Sequence, residues 1–283
     1  MNWKGDDPNP PQLTGITPLG WFRAALKALV LAIVVLGGLG VHLLVRLIEA
    51  RVHGARRPWT APIVVWVSRA SLVIIGLPLR REGVPMTSGG ALVANHSSWL
   101  DIFALSCCDR FYFVAKSEVA GWAVIGWLAR ATGTVFIRRD RRDAANQQRQ
   151  LGERIALGHR LLFFPEGTST DGQRVLPFKS PLFEPFLAAT TETALSVQPV
   201  TVVYDPPAGA DPKFYGWWGE MDFAPHLIKI LAARRQGRVT VVFHPEIALE
   251  PGLSRKDIAA RAEALIRSAH PFGEGSGGQR APV

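Results

Sequence analysis

Residues 91–101 read ALVANHSSWLD. Ala91–Asn95 has the make-up of a short buried strand, and a helical pattern, Trp99–Ser106, begins after the polar turn His96-Ser97-Ser98. Strand, turn and helix in that order form half of a βα unit. The alternation repeats along the chain. Strand-like runs are Phe111–Ala115, Thr134–Ile137, Leu161–Phe164, Val197–Tyr204 and Arg238–Phe243. Helical candidates between them are Gly121–Arg130, Arg141–Leu157 and Leu182–Thr193. This pattern predicts an α/β domain with a largely parallel or mixed sheet flanked by helices. The Pro/Gly/aromatic stretch Asp205–Gly219 predicts a long loop of the kind used for binding.

The turn after the first strand carries chemistry. His96 and Asp101 stand about 140° apart on a straight helix, so they meet only if the chain turns from the strand into a first helical turn. The carboxylate would then hold one ring nitrogen and leave the other free to accept a proton. No G-x-S-x-G elbow supplies an enzyme nucleophile, so such a pair points to direct activation of a substrate hydroxyl. The same residues also suit a plain helix start, with Ser97 as N-cap and Asp101 in the first turn.

Two further strand ends are candidates for binding. Leu161–Thr170 reads LLFFPEGTST, which places Glu166, Gly167 and Thr168 at a strand's carboxyl end, where open α/β sheets bind ligands. A glutamate suits substrate hydroxyls rather than phosphate, so this loop is expected to hold a neutral, hydroxyl-bearing part. Gly133–Arg139 reads GTVFIRR and runs into RRDRRD, where a guanidinium at a strand end can clamp an anionic head group. Lys116, closing FYFVAK, offers a second cation, and Lys179, in LPFKS, a third.

The N-terminal portion seeks a membrane. Ala28–Val45 runs eighteen residues without a formal charge, enough for a helix of about 27 Å. It is long and late for a cleaved signal, and His42 and Gly37-Gly38 interrupt it. A second stretch, Ala61–Leu79, carries Arg69 at its centre and reads as a helix lying in the interface. More basic residues follow the first run than precede it, which places the remainder of the chain on the cytoplasmic face of the inner membrane. Residues 1–80 are therefore expected as membrane-anchoring helices, 81–270 as the catalytic domain and 271–283 as a flexible tail.

Composition agrees. The 283 residues are 48% hydrophobic and 19% charged with a net charge of +9, which excludes a disordered chain and suits an anionic membrane surface. The two cysteines, Cys107 and Cys108, cannot form a disulfide framework or a four-ligand zinc site. No zinc-finger or RNP1-type motif points to nucleic acid, and the histidines lack a metal-ligand spacing, so no metal is expected.

In chain order, NHSSWLD, AKSE, GTVFIRR, FPEGTST and VQPVTV resemble the glycerolipid acyltransferases that acylate 1-acylglycerol-3-phosphate. The resemblance covers roughly residues 85–205. It implies a glycerolipid acyltransferase-type mixed sheet preceded by membrane-binding helices, with an acyl-CoA or acyl-carrier-protein donor and no cofactor or metal. It implies that His96 is the general base and Asp101 its orienter. Gly133, Phe136, Ile137 and Arg139 fall on the second block, where Arg139 would bind the acceptor's phosphate with Lys116. Glu166, Gly167 and Thr168 would hold the acceptor's glycerol part, and Pro199 falls on the fourth block. Ser169 stands where many members have Arg, and Ser180 where many have Gly after P-F-K. FVAKSEVAGW and WWGEMDFAPHL also resemble bacterial lyso-ornithine-lipid acyltransferases, whose acceptor carries a carboxylate. The expected function is thus transfer of a fatty acyl group to a lysolipid hydroxyl. The acceptor expected first is 1-acylglycerol-3-phosphate, giving phosphatidic acid, and second the ornithine lipid. A catalytically silent membrane-interaction protein and a thioester or lysolipid hydrolase are the other readings.

Overall fold

The computed structural model describes residues 3–5, 15–122, 124–137, 144–189, 195–250 and 252–272. Two helices, α1 (Pro18–His53) and α2 (Thr60–Ile75), lead into the strand β1 (Leu79–Glu82), which straddles the boundary expected at residue 80. The expected alternation follows: β2 (Gly90–Ala94), α3 (Leu100–Ser106), β3 (Tyr112–Lys116), α4 (Ile125–Thr132), β4 (Val135–Ile137), α5 (Ala144–Ala156), β5 (Leu161–Phe163) and α6 (Glu184–Ala189). Then come β6 (Ser196–Asp205), α7 (Phe223–Ala232), β7 (Arg238–Phe243), β8 (Ile247–Ala248) and α8 (Arg255–Ala269). The sequence reading did not single out β1, β8 or α8. The second apolar run splits because Gly76, left-handed at φ +83°, caps α2, and Pro78 bars its continuation.

The sheet runs β1-β7-β6-β2-β5-β3-β4, with β8 beside β6. Strands β2 to β6 are mutually parallel; β1, β7 and β8 run against them. One face packs Leu92, Ala94, Leu162, Val200 and Val202 under α2, α3 and α7. The other packs Val93, Leu161, Phe163 and Val197 under α5, α6 and α8. The chain leaves β2 over the first face, through α3, and leaves β5 toward β6 over the second, through α6. Neighbouring strands β2 and β5 thus send their connections to opposite faces, which opens a crevice at their carboxyl ends.

The helix α1 extends well past the uncharged run at both ends. Its buried residues Gly20, Ala24, Leu31, Leu39, His42 and Glu49 form one stripe. Arg23 donates to the Ala232 carbonyl (2.6 Å), Lys27 to that of Ile75 (2.6 Å), and His42 Nε2 pairs with that of Ala131 (3.0 Å). Glu49 accepts from the amides of Trp59 and Thr60 and from the Thr60 hydroxyl. The body therefore lies along α1 from Gly20 to His42, about 33 Å of helix, and Glu49 ties its end to the start of α2. Leu19, Phe22, Ile33, Leu44, Leu47 and Val52 stay exposed on the opposite face. On α2, Arg69 turns its Nε to the Cys107 carbonyl (3.0 Å), while Trp66 and Val73 remain outside.

Burial sets the acid stability of this fold. It pulls the imidazoles of His159 and His270 down to about 4 and that of His226 to about 3. His226 Nδ1 accepts from Trp99 Nε1 (2.8 Å), a bond that needs the neutral ring. Unfolded histidine titrates near pH ~6.5, so below that pH the unfolded chain holds protons that the native one refuses, and stability falls with pH. Glu166 acts in the opposite sense. Burial pushes its carboxyl up to about 8, so its contribution weakens as pH rises from about 4.5 to 8. Because the neutral buried histidines outnumber this one carboxyl, stability should fall steeply on acidification below about 6.5 and more gently as the pH rises toward 8. Denaturant melts in mixed micelles between pH 5 and 8 test this, and a flat profile would contradict it.

Candidate active site

His96 leaves β2 in the turn, and its Nδ1 lies 2.7 Å from Asp101 Oδ2. That same oxygen accepts from the amides of Ser97 (2.8 Å) and Ser98 (3.0 Å). The two readings of this segment are therefore one structure: Asp101 ties off the helix start and holds the imidazole with a single carboxylate. Its other oxygen, Oδ1, accepts from the Tyr204 hydroxyl at 2.7 Å. Asp101 is fully buried, so these four donors are what keep an anion tolerable there. Burial and the adjacent Asp101 charge push the Tyr204 phenol far upward, so it stays a donor. The sequence reading passed over Tyr204; its one signal is a tyrosine at the carboxyl end of an otherwise apolar strand.

With Nδ1 turned to Asp101, Nε2 is the nitrogen left for substrate. The His96 ring stacks on Phe164 at 4.0 Å, and Phe164 stacks in turn with Phe113 at 6.2 Å. The side chain of His96 keeps 19% exposure, against 0% for Asp101, so the base alone opens to the crevice.

Glu166 sits elsewhere than expected. It is 1% exposed; Oε1 accepts from the His96 amide and Oε2 from that of Leu176, both at 2.7 Å. A carboxyl group enclosed in this way is turned to two backbone amides and not to the crevice, so the expected contact with acceptor hydroxyls gives way to a positioning role. It clamps the loop after β5 to the backbone of His96. Gly167 makes that turn at φ +72°, its amide on the Phe164 carbonyl (3.0 Å). Thr168 remains at the rim, where its Oγ1 accepts from the Trp3 amide (3.2 Å). The Thr170 amide adds a bond to the His96 carbonyl (2.9 Å).

Lys116 closes β3 in register with Ile137, at the same sheet end as His96. Phe136 pairs with Ala115 and shares the face of Phe113, the side on which His96 and Phe164 stack. Arg139 lies outside the described residues. Gly133 is brought to none of these. It caps α4 at the opposite end of β4 with φ +89°, and an added Cβ would lie 3.0 Å from the Arg57 guanidinium carbon. Its carbonyl accepts from Arg154 (2.9 Å). Gly133 is thus required by backbone geometry and by the packing of two guanidinium groups, which corrects its expected substrate contact. Lys179 follows the same loop, its amide on the Pro165 carbonyl (2.9 Å). Pro199 lies within β6, opposite Val93. Trp218 is buried and Trp217 half-buried, its Nε1 bonded to the Met221 carbonyl. Among the described residues, no group of three or more metal-ligating side chains comes together.

Comparison with known proteins agrees with this geometry. The acyltransferase family model matches residues 79–203. The chain is 53% identical over 266 residues to a lyso-ornithine lipid O-acyltransferase of Rhodobacter capsulatus, covering 94% of this chain and 96% of that protein. It is 41% identical over 111 residues to a 1-acyl-sn-glycerol-3-phosphate acyltransferase of Neisseria meningitidis, 39% of this chain and 44% of that one. The crystal structure of the 1-acyl-sn-glycerophosphate acyltransferase of Thermotoga maritima superimposes with a TM-score of 0.61 at 20% identity, over 92% of this chain and 97% of that one. The sheet, the paired His96 and Asp101 and the near full-length match lead to one conclusion: the chain belongs to the acyltransferase family that acylates lysolipids.

Proposed function

We propose that this protein transfers a fatty acyl group from an acyl thioester to the free hydroxyl of a lyso-ornithine lipid. The observation that carries the reaction is the oriented His96, its Nδ1 held by Asp101 and its ring partly open to the crevice. His96 takes the proton of the acceptor's 3-hydroxyl. The oxygen attacks the thioester carbonyl of acyl-CoA or acyl-carrier protein, the new C–O bond forms, and the C–S bond breaks. The proton returns from His96 to the departing thiolate. Asp101 stabilises the imidazolium formed on the way, and Lys116 and Arg139 supply cations for the acceptor's anion.

The motif blocks put 1-acylglycerol-3-phosphate first. The 53% identity held over nearly the whole chain favours the ornithine acceptor instead, since the phosphate-acceptor relatives match at 41% over 39% of the chain or at 20% over 92%. Thiol release from acyl-CoA and from acyl-carrier protein should depend on added lyso-ornithine lipid. Release without any lysolipid would make the protein a hydrolase, and preference for 1-acylglycerol-3-phosphate would restore the phosphate reading.

We also read α1 and α2 as lying in the interface on the cytoplasmic face, with the exposed apolar side of α1 in lipid. Contact with the body at Arg23 and again at His42, about five turns on, supports this, because a crossing helix would draw α4 and α7 into the bilayer. Leu19→Cys and Val52→Cys should then label with an impermeant maleimide from the same side of sealed vesicles. Labelling from opposite sides would mean that α1 crosses.

A further inference from the structure

The N-terminal residues Trp3–Gly5 lie across the rim of the crevice. The Trp3 amide donates to Thr168 Oγ1 (3.2 Å) in the loop after β5, and its carbonyl accepts from the Gly219 amide (3.1 Å) in the loop after β6. Two residues on, Gly5 seats against buried Trp218, so closely that a Cβ would lie 2.9 Å from Nε1. This strap ties together two loops that also hold the dyad. Thr170 bonds the His96 carbonyl, and Trp217 donates to that of Ser97 at 2.9 Å.

Charge is arranged around the strap in two opposed pairs. The Arg174 guanidinium sits 4.8 Å over the Trp3 ring and 3.2 Å from Asp171. Lys4 lies 3.5 Å from Glu220, both largely exposed. Two cations and two carboxylates thus flank one indole beside the loop that carries Glu166 and Thr168. Such a rim complements a ligand bearing both signs. An amino-acid head group can set its carboxylate against Arg174 or Lys4 and its ammonium against Glu220 or the indole face. A phosphomonoester has no ammonium to offer, and its charge meets the exposed Glu220 carboxylate unpaired.

We propose that the Trp3–Gly5 strap, with Arg174 and Glu220, forms a head-group subsite that selects a zwitterionic amino-acid lysolipid over a phosphate-bearing one. Arg174 would supply from a neighbouring turn the guanidinium that Ser169 lacks. The proposal rests on the lysolipid-acyltransferase reading above.

The test uses purified full-length protein in mixed micelles, with lyso-ornithine lipid and 1-acylglycerol-3-phosphate as separate acceptors. The ratio of their kcat/KM values should favour the ornithine lipid in the wild type. It should fall about tenfold in Trp3→Ala and on deletion of residues 2–5, and about fivefold in Glu220→Gln, through acceptor KM with kcat preserved. Trp3→Phe, which keeps an aromatic face, should retain most of the selectivity. An unchanged ratio in the alanine and deletion variants, or a loss confined to kcat, overturns the subsite. A wild type that acylates neither lysolipid instead overturns the functional reading beneath it.

Discussion

His96→Ala should lower acyl transfer by about 10²–10⁴ in kcat while leaving acceptor KM nearly unchanged. Nδ1 is committed to Asp101, so Nε2 is the basic atom on the open side, and truncation to a methyl group removes it. The ring stacks on Phe164 but is not the floor of the core, so the variant should still fold. Transfer of radiolabelled acyl chains, with a melting curve alongside, measures both. Near-normal transfer by a folded His96→Ala would remove His96 from the chemistry.

Asp101→Asn should be nearly as damaging, by about 10³-fold or more in kcat. The amide presents a donor where Oδ2 now accepts from His96 and two backbone amides. If the amide nitrogen takes that place, the ring must present an unprotonated Nδ1, which moves its proton to Nε2 and blocks the base. If the amide oxygen takes it, the geometry survives but the charge that stabilises the imidazolium is gone. Either way, the double variant with His96→Ala should be little worse than His96→Ala alone, since the two residues act as a unit. Tyr204→Phe grades the same effect. It leaves Asp101 Oδ1 buried without its donor and loosens the carboxylate's hold on the ring, so kcat should fall about tenfold with acceptor KM nearly unchanged. Full activity in Asp101→Asn would show that the carboxylate serves only the helix start.

Some of this was legible because it is local. The apolar runs of β2, β5 and β6 and the turn residues between them state their conformation within a few positions, and His96 meets Asp101 across only five residues. Glu166 shows the limit. Its place in the chain marks a ligand-facing loop, yet β5 lies beside β2, so the carboxylate faces the His96 amide rather than the crevice. Gly133 is the converse case: a glycine in a recognisable block that packs against Arg57 and Arg154, far from the dyad.

Local sequence fixed the alternating α/β pattern, the long apolar N-terminal helix and the His–Asp pair, because periodicity and turn chemistry act over one or two turns of chain. Tertiary structure alone decided that β5 inserts between β2 and β3, that Tyr204 reaches Asp101 from 103 residues away, and that Trp3 closes on Thr168 across 165. Those contacts depend on strand order, and strand order is settled by how whole faces bury together, which no local stretch of residues encodes.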